Sequence, residues 1–396
     1  MKETGCSTRL RDGYEWRCRR GLPAIEELAG EWNRLAHSND HCAWSDANWM
    51  RCYWRAFGSA GDELVVHALY KDGTLFAVAP LLRSGGVLAG WRSVGNVHTC
   101  YWVVALDESR LPELAGSVLD HLLAGTDVLD VKPVHSKGPV AEALISEAKS
   151  RRLKVAVEEY TGDVLLDVPT SWADCRAALG KNLRGDTGRK LRRLEKLGHL
   201  EFERLKGGPS LDAVLAECYR VESLGWKAET GSPILQNPET TMFYTELARS
   251  AALEGRLAIY TLRLDSKLIA FEYCLRAQGA IEMLKLSFDP SLSAYSPGNV
   301  LRYLLLEQEA NEGAISSYHL GRPADASGWK LRWASRVEPL CRLRIYSGGL
   351  KPSLAYALGP GLRGTLKKSV ALRRAVRWAR SIAFASAAKR DPTTGG

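Results

Sequence analysis

The stretch KLSFDPSLSAYSPGNVLRYLLLEQ (residues 285–308) joins an alternating apolar segment to a strongly apolar one through Asp289-Pro290, a short loop and Ser296-Pro297-Gly298. The alternation up to Phe288 predicts a strand, and the run from Asn299 predicts a helix. Serine and glycine let the backbone approach a ligand closely, while proline sets a turn near the helix start. The first amides of a helix have no partner inside it, and the macrodipole places about half a positive charge there. Two readings stay open on this stretch alone. It is either an ordinary serine N-cap, worth about 1 kcal/mol, or a cradle for an anion such as a pyrophosphate.

Outward from that stretch, residues 256–288 read as strand, Asp-Ser-Lys turn, strand, short turn, strand, and residues 63–84 read as strand, Lys-Asp-Gly turn, strand. Alternating apolar residues around a tight polar turn are a hairpin signature. Each hairpin follows an aromatic-rich helical approach, SDANWMRCYWRAFGSAGDE in one case and TTMFYTELARSAALEG in the other. The order helix, hairpin, further strand, helix therefore occurs twice, which predicts two similar α/β halves. Helices are expected at 111–125 and 139–151 and strands near 154–167 in the first half. The second half opens with SWADCRAAL, a basic helix and a strand at HLEFERLK, followed by a helix at 210–224. It closes with SSYHLG and a last strand near PLCRLRIYS. The division is then a polar segment 1–20, halves at 21–168 and 169–350, and a basic tail at 351–396 set off by Pro352, Gly359, Pro360, Gly361 and Gly364.

With 45% hydrophobic and 25% charged residues the chain has the makings of a core-forming protein. No apolar run approaches the ~20 residues that span a bilayer, and the first twenty residues carry no secretory or lipidation signal, so a cytoplasmic protein is expected. Nine scattered cysteines without a C-x-x-C pair fit reduced thiols rather than a disulfide frame. His37, His41 and Cys42 lie close together, but no second ligand cluster accompanies them, and no metal is expected. Of 54 Lys/Arg and 45 Asp/Glu, ten and one lie from Lys351 onward, so the body balances at 44 each and the whole net charge of +9 resides in the tail. Residues 365–390 read as a basic helix with imperfectly separated faces. It either lies on the body or meets an anionic membrane surface from the inner side; no aromatic-interleaved groove favours nucleic acid. G-x-S-x-G, H-E-x-x-H and Walker patterns are absent, which leaves hydrolase, zinc-protease and triphosphatase readings without local support.

The second half resembles the GNAT-superfamily acyltransferases of the large two-half type, known as BioF2-like or cellulose-biosynthesis acetyltransferases and related in architecture to Fem-type aminoacyl-transferases. The resemblance rests on the order of several stretches: Lys181-Asn182-Leu183-Arg184 through Leu197-Gly198, Ser223-Leu224-Gly225-Trp226-Lys227 with Gly231, Leu268-Ile269-Ala270, Lys285 with Phe288-Asp289, Tyr295-Ser296-Pro297-Gly298, and Trp329-Lys330-Leu331-Arg332-Trp333. In the first half only Trp49, Phe57-Gly58, the hairpin and Ala79-Pro80-Leu81-Leu82 carry it. It implies an α/β fold of tandem GNAT-like halves, mixed sheets flanked by helices, with a basic C-terminal helix. It also implies an acyl-CoA donor, acetyl-CoA or longer, whose pantetheine inserts between splayed strands and whose pyrophosphate sits on Ser296, Pro297, Gly298 and Asn299. Where family members often carry an acidic residue before the glycine after the penultimate strand, this chain has His319 in Tyr318-His319-Leu320-Gly321.

Acyl transfer needs a base for the nucleophile's proton and a donor for the oxyanion or the leaving thiolate. His319, with an ordinary pKa near working pH, is either that base or a hydrogen-bonded strand-end histidine. Tyr295 is either the donor or a packing residue. Lys285 either pairs with Asp289 or holds a substrate anion. Trp226-Lys227 and Trp329-Lys330 are aromatic–cation pairs of the kind that line sugar or nucleotide pockets, or else core tryptophans with neighbouring lysines. The expected activity is acyl transfer to an amine or hydroxyl of a sugar, nucleotide-sugar or exopolysaccharide precursor. The competing readings are Fem-type transfer from charged tRNA to a cell-wall precursor and a non-catalytic envelope-polysaccharide assembly factor.

Overall fold

The two hairpins turn through the same local geometry. Asp72 and Gly73 in the first, and Asp265 and Ser266 in the second, all have positive φ, between 48° and 77°. Paired left-handed residues make the two-residue turn whose twist matches that of the strands it joins. Each hairpin also slips register once, at Leu69/Tyr70 and at Leu262/Arg263. The likeness read from the sequence thus extends to backbone detail.

The structure is a computed structural model that describes residues 6–9, 13–38, 44–102, 104–225, 234–323 and 328–361. Trp226, Lys227, Gly231, His41, Cys42 and the basic segment 365–390 lie outside the described residues. In chain order the first half holds β1 (Cys6–Arg9), β2 (Tyr14–Arg20), α1 (Gly21–Ser38), α2 (Ala47–Phe57), β3 (Glu63–Lys71), β4 (Thr74–Ser84), β5 (Gly90–Ser93), β6 (Ala105–Leu106), α3 (Leu111–Leu123), β7 (Val128–His135), α4 (Pro139–Ser150) and β8 (Lys154–Asp167). The second holds α5 (Trp172–Ala178), α6 (Lys181–Leu194), β9 (Leu200–Leu205), α7 (Leu211–Ser223), α8 (Pro238–Leu253), β10 (Leu257–Leu264), β11 (Lys267–Ala277), β12 (Gly279–Phe288), α9 (Pro297–Glu312), β13 (Ile315–Gly321), β14 (Arg336–Tyr346) and α10 (Leu350–Tyr356).

Among the described residues these strands form one mixed sheet in the order β1-β2-β3-β4-β5-β7-β14-β8-β13-β12-β11-β10-β9, with β6 beside β4. The fold is α/β, a large mixed sheet flanked by helices. Each half has one parallel pair, β5 with β7 and β12 with β13. Gly90 allows the first of these, since a Cβ there would lie 1.9 Å from the Val128 carbonyl oxygen.

The boundary between the halves differs in space from the one expected in sequence. β8 runs against β13 and β14, while β14 also pairs with β7. Each half therefore lends its last strand to the other. Helices share the core in the same way: Trp49 and Tyr53 of α2 pack on Phe243 of α8, with ring centroids 5.8 and 6.3 Å apart. Asp46 caps α2, its carboxylate accepting from the Trp49 amide at 2.7 Å, and pairs with Arg256 from the second half. Pro352, expected to break regular structure, instead lies inside α10. A proline in the first turn removes only an amide that has no helical partner.

A buried ion pair sits under α9. Arg302 donates to Glu272 of β11 at 2.5 Å, both side chains are fully buried, and the Tyr318 hydroxyl of β13 donates to the same carboxylate. Trp329 and Trp333 cover the guanidinium at 4.7 and 5.3 Å. Removing one partner of such a pair strands the other in a low dielectric. Glu272→Ala is expected to lower the unfolding free energy by about 3–5 kcal/mol in urea denaturation, and the double variant Glu272→Leu with Arg302→Met by much less.

Candidate active site

The site begins where two strands part. β12 and β13 pair from Gly279 opposite Ile315 to Glu282 opposite His319, and no further. On its other edge β12 slips against β11: Tyr273 faces Lys285 while Cys274 faces Met283, so Leu284 is an extra residue. A bulge bends its strand and increases the local twist, and here it carries residues 283–288 away from β13. The opening is a cavity of about 890 Å³ lined by Met283 to Phe288 on one wall and Leu320, Trp329, Lys330 and Arg332 on the other.

Ser296, Gly298 and Asn299 close one end of this cleft. Ser296 adopts φ +48° and ψ +56°, an uncommon conformation for a residue with a side chain, and so turns the chain into α9. The Asn299 and Val300 amides bond back to the Ser296 carbonyl at 3.0 and 3.2 Å, and Pro297 has no amide hydrogen. The cradle is therefore narrower than a free first turn. Positive charge compensates: Lys190 of α6 donates to the Ser296 hydroxyl at 2.8 Å, and Arg332 faces the same space. Asn299 accepts from the Trp333 indole at 3.3 Å, which braces the opposite wall. A Cβ at Gly298 would touch Phe288 and Leu286 at 3.5 and 3.6 Å, ordinary contacts, so an alanine fits there.

A second cavity, of about 650 Å³, lies on the other side of the divergence point and is lined by His319, His135, Glu282, Glu338, Glu108 and Lys137 among others. His319 Nδ1 lies 3.3 Å from Asp163 Oδ2, and Asp163 has no exposure. Asp163 also lies 3.8 Å from His135, whose other nitrogen is 3.3 Å from Glu338. With the proton on Nδ1 held by the carboxylate, His319 presents Nε2 as the reactive nitrogen. Burial alone would lower the His319 pKa, but the bond to Asp163 and the charges of Glu282, Asp163 and Glu338 outweigh it, and the net shift is upward. Burial dominates at His135 and shifts it downward. Two histidines on one wall are thus pushed apart, as acid and base partners require.

Cys100 lines the cleft and packs against Gly321. A Cβ at Gly321, which has φ +68°, would lie 3.0 Å from Cys100 Sγ. Burial, aided by the Asp163 carboxylate, pushes the Cys100 thiol up to about 12, so it stays a neutral thiol and does not serve as a nucleophile at neutral pH.

The residues singled out in the sequence reach these walls unevenly. Ser296, Gly298, Asn299, Lys285, Trp329 and Lys330 line the cleft, and His319 lines the second cavity. Lys285 pairs with the buried Glu222 at 3.3 Å rather than with Asp289. Asp289 is held by Lys267 at 2.7 Å and accepts from the Ser291 amide and hydroxyl, so it shapes the loop. Tyr295 packs beside α6 with the Arg193 guanidinium 4.9 Å above its ring and lines neither cavity. Lys330 donates to the Leu320 and Arg322 carbonyls at 2.5 and 2.7 Å and so braces the turn at Gly321. His37 bonds Asp46 and Arg256. Asp163, His135 and Glu282 escaped the sequence reading; the signal available was a charged residue inside apolar strands, in GDVLLD and AIEML.

Residues 181–331 match the family model of the acetyltransferase (GNAT) domain. The chain carries a GNAT-type domain. Its structure is similar to that of FemX, with a TM-score of 0.58 at 10% identity over 86% of this chain and all of that one. It is also similar to the C-terminal DUF2156 domain of a putative lysylphosphatidylglycerol synthetase from Agrobacterium fabrum, at 0.52 and 14%, over 84% and 95%. A tandem GNAT protein from the clavulanic acid biosynthesis pathway aligns at 0.42 and 12%, over 84% and 99%. At these identities the likeness concerns the fold. No curated protein matches the chain. The GNAT match begins at α6 and ends inside the Trp329–Arg332 wall, so it holds residues 283–288 and the Ser296–Asn299 turn, while Val97, His98, Cys100, Tyr160, Thr161 and Arg332 of the cleft lining, and Asp163, lie outside it.

Asp163→Asn takes away an upward influence on His319 and leaves burial less opposed. The His319 midpoint, followed by its imidazole proton resonances in an NMR titration, is expected to move to lower pH.

Proposed function

We propose that this chain transfers an acyl group from an acyl-CoA, bound in the cleft between β12 and β13, to an amine presented in the second cavity. One observation carries the reading: the strands part directly beside a histidine–aspartate pair, with a basic helix start at one end of the gap. The residues fit the donor. Met283, Leu284, Leu286 and Phe288 give the cleft an apolar wall, Arg332 and Lys190, the latter already paired with Asp186 at 2.9 Å, offer cations for phosphates, and the parted edges present backbone groups for an extended ligand. When bound, the thioester supplies the activated carbonyl.

The second cavity has the opposite character. Glu108, Glu282 and Glu338 face Lys137 there, so its field draws a cationic group and favours an amine over a neutral hydroxyl. His319 Nε2 takes the proton that the amine loses as its nitrogen bonds to the acyl carbon, and returns it to sulfur as the carbon–sulfur bond breaks. Asp163 keeps the imidazole in the tautomer that can do both. An amine on a sugar, nucleotide-sugar or exopolysaccharide precursor fits this chemistry. Among the described residues no helix is long and apolar enough to cross a membrane; attachment to an anionic surface is assigned to residues 365–390, and deleting them should abolish co-sedimentation with anionic vesicles.

Gly298→Glu places a carboxylate at the helix start and should weaken acetyl-CoA binding by about tenfold or more in calorimetry, a loss of about 1.4 kcal/mol. Unchanged affinity would move the donor elsewhere. His319→Gln should lower kcat by about 10²–10⁴ while sparing acetyl-CoA binding. Because His319 must be neutral to accept a proton, wild-type kcat/KM should rise with pH through its raised pKa, and Asp163→Asn should shift that limb to lower pH. Turnover that requires charged tRNA and is destroyed by ribonuclease would refute the CoA donor.

A further inference from the structure

Three soft donor atoms converge in the first half, and none of their residues lines either cavity. Cys18 on β2 stands directly opposite His67 on β3, and His121 reaches them from α3. Cys18 Sγ lies 3.4 Å from His67 Nδ1 and 3.4 Å from His121 Nε2, and the two nitrogens are 3.0 Å apart. A zinc ion bonded to one sulfur and two imidazole nitrogens in a tetrahedral array separates those donors by about 3.3–3.6 Å. The cluster therefore needs to open by only a few tenths of an ångström.

Hydrogen bonding accounts for the cluster poorly. Three mutual contacts share at most two protons, one on a ring nitrogen and one on sulfur, because an imidazole nitrogen is either a donor or a single-lone-pair acceptor. If His67 carries its proton on Nε2, its Nδ1 can accept from His121 Nε2 at 3.0 Å, but the buried Nε2–H then has no acceptor. If it carries the proton on Nδ1, the lone pair on Nε2 is buried, and that atom has no hydrogen-bond partner in either case. A second proton on the imidazole pair is resisted, since burial lowers His67 to about 3 and His121 to about 4. Neutral imidazoles are the ligand form. The rings are also held in place: Trp16 stacks on His121 at 4.2 Å with planes 2° apart, and Trp91 stands at 83° to His67.

We propose that Cys18 Sγ, His67 Nδ1 and His121 Nε2 bind one zinc-type divalent cation, with a fourth position for water or an anion. On binding, the Cys18 thiol gives its proton to solvent, so the thiolate and two neutral imidazoles leave the metal with one net positive charge. Arg83, whose guanidinium lies 5.2 Å from the Trp91 ring and acts on His67, favours an anion in the fourth position. The ion would pin α3 to the β2–β3 pair, a helix-to-sheet staple in the half that the GNAT match does not cover.

The test uses full-length protein stripped with chelator and titrated with zinc or cobalt(II). Wild type should take up one ion per chain at this site, gain thermal stability, and show a thiolate-to-cobalt charge-transfer band. Cys18→Ser should abolish the band, and His121→Gln should weaken metal affinity by about tenfold or more. Zinc should also protect Cys18 from alkylation in the unmutated protein, read peptide by peptide, which needs no variant to fold. Alkylation of Cys18 at the same rate with and without zinc, or a cobalt band that survives Cys18→Ser, would overturn the proposal.

Discussion

Glu272 is the anchor of the cleft. Its carboxylate, buried on β11, receives Arg302 from α9 and Tyr318 from β13, and the two tryptophans that cover Arg302 belong to the segment forming the far wall. A helix start, a strand end and a wall are thereby referred to one group. That matters because β12, which lies between β11 and β13, stays paired with β13 only as far as Glu282 opposite His319, one residue beyond Tyr318, and past that point backbone pairing no longer holds them. Burial pushes the Glu272 pKa up, while Arg302 and the Tyr318 hydroxyl act the other way. Desolvating both charges makes the pair a poor source of net stability. What it supplies is a fixed distance between α9 and β13 where the sheet itself is open.

The exchange of last strands explains why the pair at the second cavity needs both halves. Asp163 is carried by β8, which ends the first half of the sequence, and His319 by β13 in the second. β8 reaches β13 only because β14 has taken the place beside β7. A half cut at the sequence boundary would contain the parted strands and the basic helix start but would lose the carboxylate that orients the histidine.

Much of this was legible in the sequence. The hairpins, the helices at α3, α4, α7 and α9, the basic helix and the Ser-Pro-Gly turn all announce themselves through local periodicity and turn chemistry, and the tandem order of elements follows from them. Strand alternation reports which face a residue takes and not which strand lies alongside, so the β8–β14 exchange was invisible. The same limit hid Asp163 from His319, 156 residues away, and Cys18, His67 and His121 from one another. Asp289 and Tyr295 have partners that the sequence did not show, for a different reason. Their sequence neighbourhood is correct, but Lys267 and Arg193, brought in by other elements, claim their polar atom and ring face.

The two cavities are also separated electrically. The cleft gathers Lys285, Arg322, Lys330 and Arg332 on its walls, whereas the second cavity gathers Glu108, Glu282 and Glu338. Outside the tail the charges balance at 44 of each sign, so this division comes from placement and not from composition. Cys100, on the cleft wall, is kept neutral by burial and adds no charge to it. The two fields favour ligands of opposite charge in the two cavities, and His319, on the wall of the second, is held by Asp163 close to where β12 and β13 part.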